Sequence, residues 1–353
     1  MPKSDSKSPA GLGQSGRRGS SRMKSRSHLF DGALSRLGLA PAPATKSLVE
    51  LPSRGYVPPP PNPVSEALAR HRLSEFDLSF DAEEKILWCY FDFSGRPCFT
   101  PAVLEQSRRI QTLLRTLATE SEADEPPVRY LVLASRAPGV WNLGGDLGLF
   151  AELIRTGDRD GLTRYARLCC EVGYTNATLY HLPIITIALV QGEALGGGYE
   201  AALSSNVIVA ERGARFGLQE ILFNLFPGMG AYTFLSRRIA PGLAERMILS
   251  GEIYTAEQLH TLGVVDVLAA DGEGVDAIYS YVGRGGRRHR AHAAVRQARQ
   301  IVQPVTFEEM TRIADLWVDA ALKLTDADLR KMLRLAAAQD RRRAGTAGAV
   351  PAE

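Results

Sequence analysis

Four short runs of apolar, β-favouring residues mark the middle of this 353-residue chain, and each pair is separated by enough chain for a helix or a long turn. They cover 86–91, 130–134, 184–190 and 207–210. Residues 101–118 open on Pro101 and set Leu104, Ile110, Leu113, Leu114 and Leu117 at helical spacing. Residues 161–181 and 198–204 also read as helices. Strands that alternate with crossover helices predict an α/β layer architecture. Beyond about residue 242 the pattern turns mostly helical. Thr255 with Gln258 and Thr306 with Glu309 have the spacing of capping boxes. An apolar stripe follows the second pair at Met310, Ile313, Leu316, Trp317 and Ala320.

The whole-chain charge of +3 hides an uneven distribution. Residues 1–27 hold seven basic side chains and one acidic, so the remainder carries −3. That gives no support to a nucleic-acid footprint over the folded part and reads the basic segment as a disordered, solvated tail, or alternatively one that docks on a membrane surface or a partner. The stretch 51–63 ends in PPPPNP, a stiff linker. The longest apolar run, 182–190, is about half of what a membrane span needs. No apolar signal region follows the basic start, and none of the four cysteines forms a CxxC pair, so a reduced, cytoplasmic setting is expected. The six histidines show no metal spacing. Arginines 284, 287, 288, 290, 296 and 299 crowd one segment, which is either a solvated helix face or a contact for a phosphate-bearing or acidic partner.

Two glycine clusters follow two of the strand runs: WNLGGD at 141–146 and QGEALGGGYE at 191–200. Neither is a phosphate loop, since no Lys-Ser/Thr follows the glycines and GxGxxG spacing is absent. Consecutive glycines let another atom approach backbone N–H groups closely. Those at 196–198 also precede a helix, at the positive end of its dipole. Two such amides from two loops can form an oxyanion hole; tight turns and close helix–strand packing use the same residues. Glu200 lies in the first turn of that helix. Twenty positions on, Glu220 adds a second carboxylate ahead of ILFNLFPGMG.

Here the sequence resembles the crotonase (enoyl-CoA hydratase/isomerase) superfamily over roughly residues 85–270. Its glycine-glycine-aspartate loop matches 144–146, its GxxLGGGxE segment 192–200, and its FGxPE…PGxGG segment 216–230, with Gln219 in place of the usual proline. The resemblance implies a crotonase-like spiral of ββα units with a C-terminal helical region. Together with composition, it divides the chain into a mostly disordered basic tail and Pro-rich linker (1–74), a catalytic core (75–270), a C-terminal helical or oligomerisation region (271–340) and a frayed end (341–353). It implies an oxyanion hole from the Gly145 and Gly197 amides and catalytic roles for Glu200 and Glu220. Two carboxylates across one small site suit addition or loss of water. One handles the α-proton and the other the hydroxyl, while the enolate rests in the hole. Mutual repulsion and burial should raise one of the two pKa values. Asp146 is expected to cap its loop rather than react.

The wording of 141–150, 201–211 and 222–231 is most similar to the diffusible signal factor synthases. That branch implies dehydration of a 3-hydroxyacyl group on acyl carrier protein to the cis-2-enoyl thioester. Hydrolysis then releases a free cis-2-unsaturated fatty acid, a quorum-sensing signal. No cofactor is implied beyond the phosphopantetheine that carries the substrate. The implied partners are acyl carrier protein and copies of the chain in a trimer or dimer of trimers. An ordinary enoyl-CoA hydratase/isomerase is the alternative, as is a non-catalytic scaffold that sequesters a signalling receiver domain. An acyl tail needs an apolar tunnel, for which Leu149, Phe150, Trp317, Met332 and Leu335 are candidates, each of which would serve equally as plain core.

Overall fold

The structure, a computed structural model, describes residues 62–121 and 125–347. The expected basic tail and most of the proline-rich linker lie outside the described residues. One correction falls at their edge. Pro63–Arg70 is a helix (α1), capped by the Asn62 side chain, which accepts from the Val64 amide at 2.9 Å. Pro63 sits at the first helical position, where its missing N–H costs nothing. Val64 is buried, so this turn packs against the core instead of belonging to the tail.

Two sheets alternate along the chain. The six-stranded sheet runs β1 (Phe76–Asp81), β2 (Ile86–Phe91), β3 (Tyr130–Ser135), β5 (Ile185–Val190), β7 (Val207–Glu211) and β10 (Val267–Ala269) in that spatial order. Only the β1–β2 pair is antiparallel; every other neighbour is parallel. The central strands β5 and β7 are buried at every position, which is why they read as unbroken apolar runs. The second sheet holds β4 (Val140–Asn142), β6 (Glu193–Leu195), β8 (Arg215–Gly217) and β9 (Ile253–Thr255). Thus β3–β4, β5–β6 and β7–β8 each send one strand to each sheet before a helix or helical turn. This is the expected spiral of ββα units.

Helix α2 (Pro101–Thr119) follows β2, while α3 (Leu147–Thr156) and α4 (Arg159–Thr178) follow β4. Helix α5 (Gly197–Ser204) follows β6, and α6 (Ala231–Leu235), α7 (Pro241–Ser250) and α8 (Ala256–Thr261) come after β8. The chain ends in α9 (Gly274–Gly285), α10 (His289–Val302), α11 (Phe307–Ala321) and α12 (Asp326–Ala347), the C-terminal helical region. Helix α12 continues to residue 347, where fraying was expected from 341. No helix among the described residues is long and apolar enough to cross a membrane.

Two local expectations need adjustment. At Thr255 the capping box is complete. At Thr306 only half of it forms: the threonine accepts from the Glu309 amide, but the Glu309 carboxylate turns to Thr233 and Arg237. A charged partner outcompetes the neutral backbone amide of a cap. On α11 the buried stripe is Met310, Ala314, Trp317, Val318 and Ala321, whereas Leu316 is 62% exposed.

Candidate active site

Each glycine cluster is placed by its strand and held by the other. The Asn142 side chain, wholly buried, accepts from the Gly144 amide at 2.8 Å and turns the chain after β4. The Gly144 carbonyl then accepts from Phe99 N at 2.7 Å, which ties the loop to the start of α2. Gly144 has φ +91, and a Cβ there would meet Leu195 O at 2.7 Å and Gly197 N at 2.8 Å. The two loops therefore touch backbone to backbone, which only glycine permits. From the opposite side, a Cβ on Gly198 would lie 2.1 Å from Asn142 O. This close approach brings the Gly145 and Gly197 amides together at one cavity wall, and no hydrogen bond among the described residues engages either. Asp146 caps α3, accepting from Leu149 N at 3.1 Å, as expected.

Tyr165 on α4 supports this loop, a role sequence reading missed. Its hydroxyl donates to the Phe99 carbonyl and accepts from the Asp146 amide. Its ring stands perpendicular to Phe150, with centroids 4.9 Å apart. Phe150 in turn lies directly beneath Gly145 and packs on Trp317.

The two glutamates are anchored differently. Glu200 is buried in the first turn of α5, and its Oε1 accepts from Met229 N and Ala231 N, both at 2.9 Å. Burial pushes its carboxyl above the ordinary range, and these two amides pull it partway back. Glu220 opens the 3-10 turn Glu220–Phe223, which Asn224 closes in a left-handed conformation. Its Oε1 lies over Gly196, where a Cβ would stand 2.7 Å away. The residue as a whole is half-buried, but Oε2 is enclosed and has no partner. Burial raises this carboxyl as well, and the nearby Glu200 charge adds to the rise. Equal acids with unequal donors separate into a charged one and a neutral one.

Two cavities meet at this wall. Gly145, Gly197, Glu200 and Met229 line both. One, about 550 Å³ with its open mouth included, also holds Glu220, Gln219, Phe150 and Trp317. The other, about 770 Å³ on the same basis, runs among Phe76, Phe91, Leu104, Ile110, Leu131 and Leu133. Of the residues expected to form an acyl tunnel, only Phe150 and Trp317 reach a cavity near the glutamates. Leu149, Met332 and Leu335 line neither, and Met332 is fully buried core. The larger apolar cavity was not foreseen, because its walls come from strands and helices far apart in sequence.

The enoyl-CoA hydratase/isomerase family model matches residues 111–315. Escherichia coli 2,3-dehydroadipyl-CoA hydratase is 48% identical over 86 residues, 24% of this chain and 34% of that protein. Mus musculus mitochondrial methylglutaconyl-CoA hydratase is 28% identical over 171 residues, 48% of this chain and 52% of that protein. The chain thus spans about half, or less, of the length of these curated relatives. Among solved structures, an enoyl-CoA hydratase from Bacillus halodurans matches with TM-score 0.61 at 17% identity, over 74% of this chain and 100% of its own. Pseudomonas aeruginosa DspI matches with TM-score 0.56 at 25% identity, over 69% of this chain and 95% of its own.

Proposed function

The chain belongs to the enoyl-CoA hydratase/isomerase family, and from that premise we propose that it is a hydro-lyase acting at the α,β-carbons of an acyl thioester. The observation that carries this is the lining of one cavity: two carboxyls, unequally supplied with donors, beside two glycine amides. In the resting pair Glu220 holds the proton and Glu200 the charge. In water addition Glu200 takes a proton from water as its oxygen bonds to the β-carbon, and Glu220 delivers its proton to the α-carbon. Loss of water runs the same steps in reverse, from the pair with the proton on Glu200. The enolate oxygen in either direction is held by the Gly145 and Gly197 amides, an arrangement typically worth a few kcal/mol per donor.

We assign the substrate to the signal-factor branch: a 3-hydroxyacyl group on acyl carrier protein, dehydrated to the cis-2-enoyl thioester. Hydrolysis follows at the same site. A glutamate takes the proton of a water that attacks the carbonyl, the tetrahedral oxyanion occupies the same amides, and the thiol leaves with a proton. The products are a free cis-2-unsaturated fatty acid and the carrier thiol. The wording of 141–150, 201–211 and 222–231 supports this reading, as does the 25% identity to DspI. The apolar cavity beside Glu200 supplies room for a tail. The carrier's phosphopantetheine is the only prosthetic group required, and the chain is read as a trimer or dimer of trimers.

A second reading is favoured by the curated relatives, which are named as hydratases of CoA thioesters. Incubating the purified protein with 3-hydroxydodecanoyl-acyl carrier protein separates the two. Free cis-2-dodecenoic acid is expected. Product that stays thioester-bound, or is trans, assigns the chain to the second reading. A monomer by light scattering would remove the oligomer.

A further inference from the structure

The arginine-rich segment is a sequence feature that the acyl-thioester site does not absorb. Two of its members, Arg296 and Arg299, lie one turn apart on α10 and reach inward. Arg296 Nη1 donates to Asn206 O at 2.7 Å, and Arg299 Nη2 to Arg237 O at 3.3 Å. These are carbonyl contacts; among the described residues neither guanidinium has a carboxylate in ion-pair range. The adjacent Arg237 and Arg238 differ. Arg237 is held by Glu309 at 2.7 Å and Arg238 by Asp266 at 3.1 Å. Four guanidinium groups therefore share two carboxylates, a surplus of two positive charges in a half-buried setting. Burial and the neighbouring arginines hold Arg299 below the usual arginine value.

Three of these four side chains border a recess of about 410 Å³, its mouth included. Arg237, Arg296 and Arg299 line it, with Ser205, Gln300 and Gln303, and no Asp or Glu is among its lining residues. The Nε of Arg237 is enclosed and has no acceptor. Walls drawn from the ends of α4 and α5, from α6 and from α10 admit a compact group rather than a length of peptide. Uncompensated cations are costly to bury, and guanidinium forks suit oxyanions with several acceptor oxygens.

We propose that this recess is an anion site that binds one phosphate group per chain. A dianion matches the two surplus charges, and the hydroxyl and amide donors around the rim complete its shell. The site is separate from Glu220 and the glycine amides, and it stands whether or not the acyl-thioester reading does. Ser204 lines both the recess and the apolar cavity, so the two share a wall.

Equilibrium dialysis of the full-length protein against radiolabelled inorganic phosphate at low ionic strength tests this. Saturable binding of one phosphate per chain is expected. It should weaken about tenfold or more in Arg296→Gln or Arg299→Gln and vanish in the double variant. A second arm uses phosphopantetheine. Tighter binding than inorganic phosphate would assign the recess to a phosphate ester on that arm, and equal binding to free phosphate; both support the site. Absence of saturable binding overturns the proposal, as does binding that the double variant retains. So does a double variant that changes oligomer mass while the parent protein binds no phosphate, since the charges would then belong to an acidic group of a second copy. Should the double variant unfold, each single variant, checked by circular dichroism, decides by the same affinity change.

Discussion

The helix turn that carries Glu200 and the 3-10 turn that carries Glu220 present the same functional group on two different supports. Glu200 meets two amide donors at one oxygen, from residues 229 and 231. Glu220 lies against a glycine Cα with one oxygen enclosed and unpartnered. Burial raises both carboxyls; two amides of a neighbouring loop lower Glu200, whereas Glu220 has only its own backbone amide to set against burial and the Glu200 charge. The lesson is that the backbone around an acid, not the acid itself, decides which member of a pair keeps the charge.

The largest effect expected from breaking that contrast is on turnover. Glu200→Gln and Glu220→Gln should each slow dehydration roughly 10²- to 10⁴-fold, and the double variant should be little worse than either single one. Steady-state kinetics that show less than a tenfold loss in both single variants would end the two-carboxyl mechanism.

Gly196→Ala attacks one support and spares the other. The residue sits at φ +51, ψ −126, a region hostile to side chains, and its new Cβ would press on Glu220 Oε1. A stability loss of about 2–4 kcal/mol is expected in urea titration, the backbone strain plus the contact, with Glu220-dependent activity lost first. An unchanged denaturation midpoint would mean that the loop relaxes at no cost.

The pH dependence of stability sharpens the contrast. Both folded-state pKa values lie above those of the unfolded chain. Between the unfolded and folded values the native state binds more protons, so stability falls as pH rises toward neutrality and beyond. The contribution is fully present below about pH 4, under the unfolded value of roughly 4.3. Glu220→Gln should flatten this slope and stabilise the protein above neutrality by about 1–3 kcal/mol. Denaturation midpoints compared across pH check it; a slope steeper than that of the parent would contradict it.

Tyr165→Phe gives the smallest change. It removes the hydroxyl between the Phe99 carbonyl and the Asp146 amide, at a cost of about 1 kcal/mol. The loss should appear in the step that develops charge on the thioester oxygen, and therefore in kcat more than KM. A pure KM effect would free Tyr165 of its supporting role.

Much of this was legible in the residues. The core strands could be read because burial on both faces writes continuous apolar runs, as at 185–190. The glycine clusters and glutamates could be read because backbone contact demands Gly at 144 and 198 whatever surrounds them. The second sheet could not: β4, β6, β8 and β9 are three residues each, too short to show a period. The apolar cavity escaped because its walls, from Phe76 to Leu133, meet only after the spiral closes. Leu335 and Met332 were tunnel candidates for the same reason, since an apolar side chain on a helix is read as inside but not for what it faces. Tyr165 carried no signal, being one aromatic on an amphipathic helix.

The two cavities share only Gly145, Gly197, Glu200 and Met229 as lining. The remaining wall of the larger one comes largely from β1, β2, β3, α2 and α4, elements that contribute neither glutamate. Mutational drift at Phe76, Leu104, Ile110 or Leu131 can therefore reshape the chamber while the reactive groups stay in place. On the proposed reading, a lineage built on this scaffold could change the length of molecule it handles without reinventing its chemistry, one wall residue at a time.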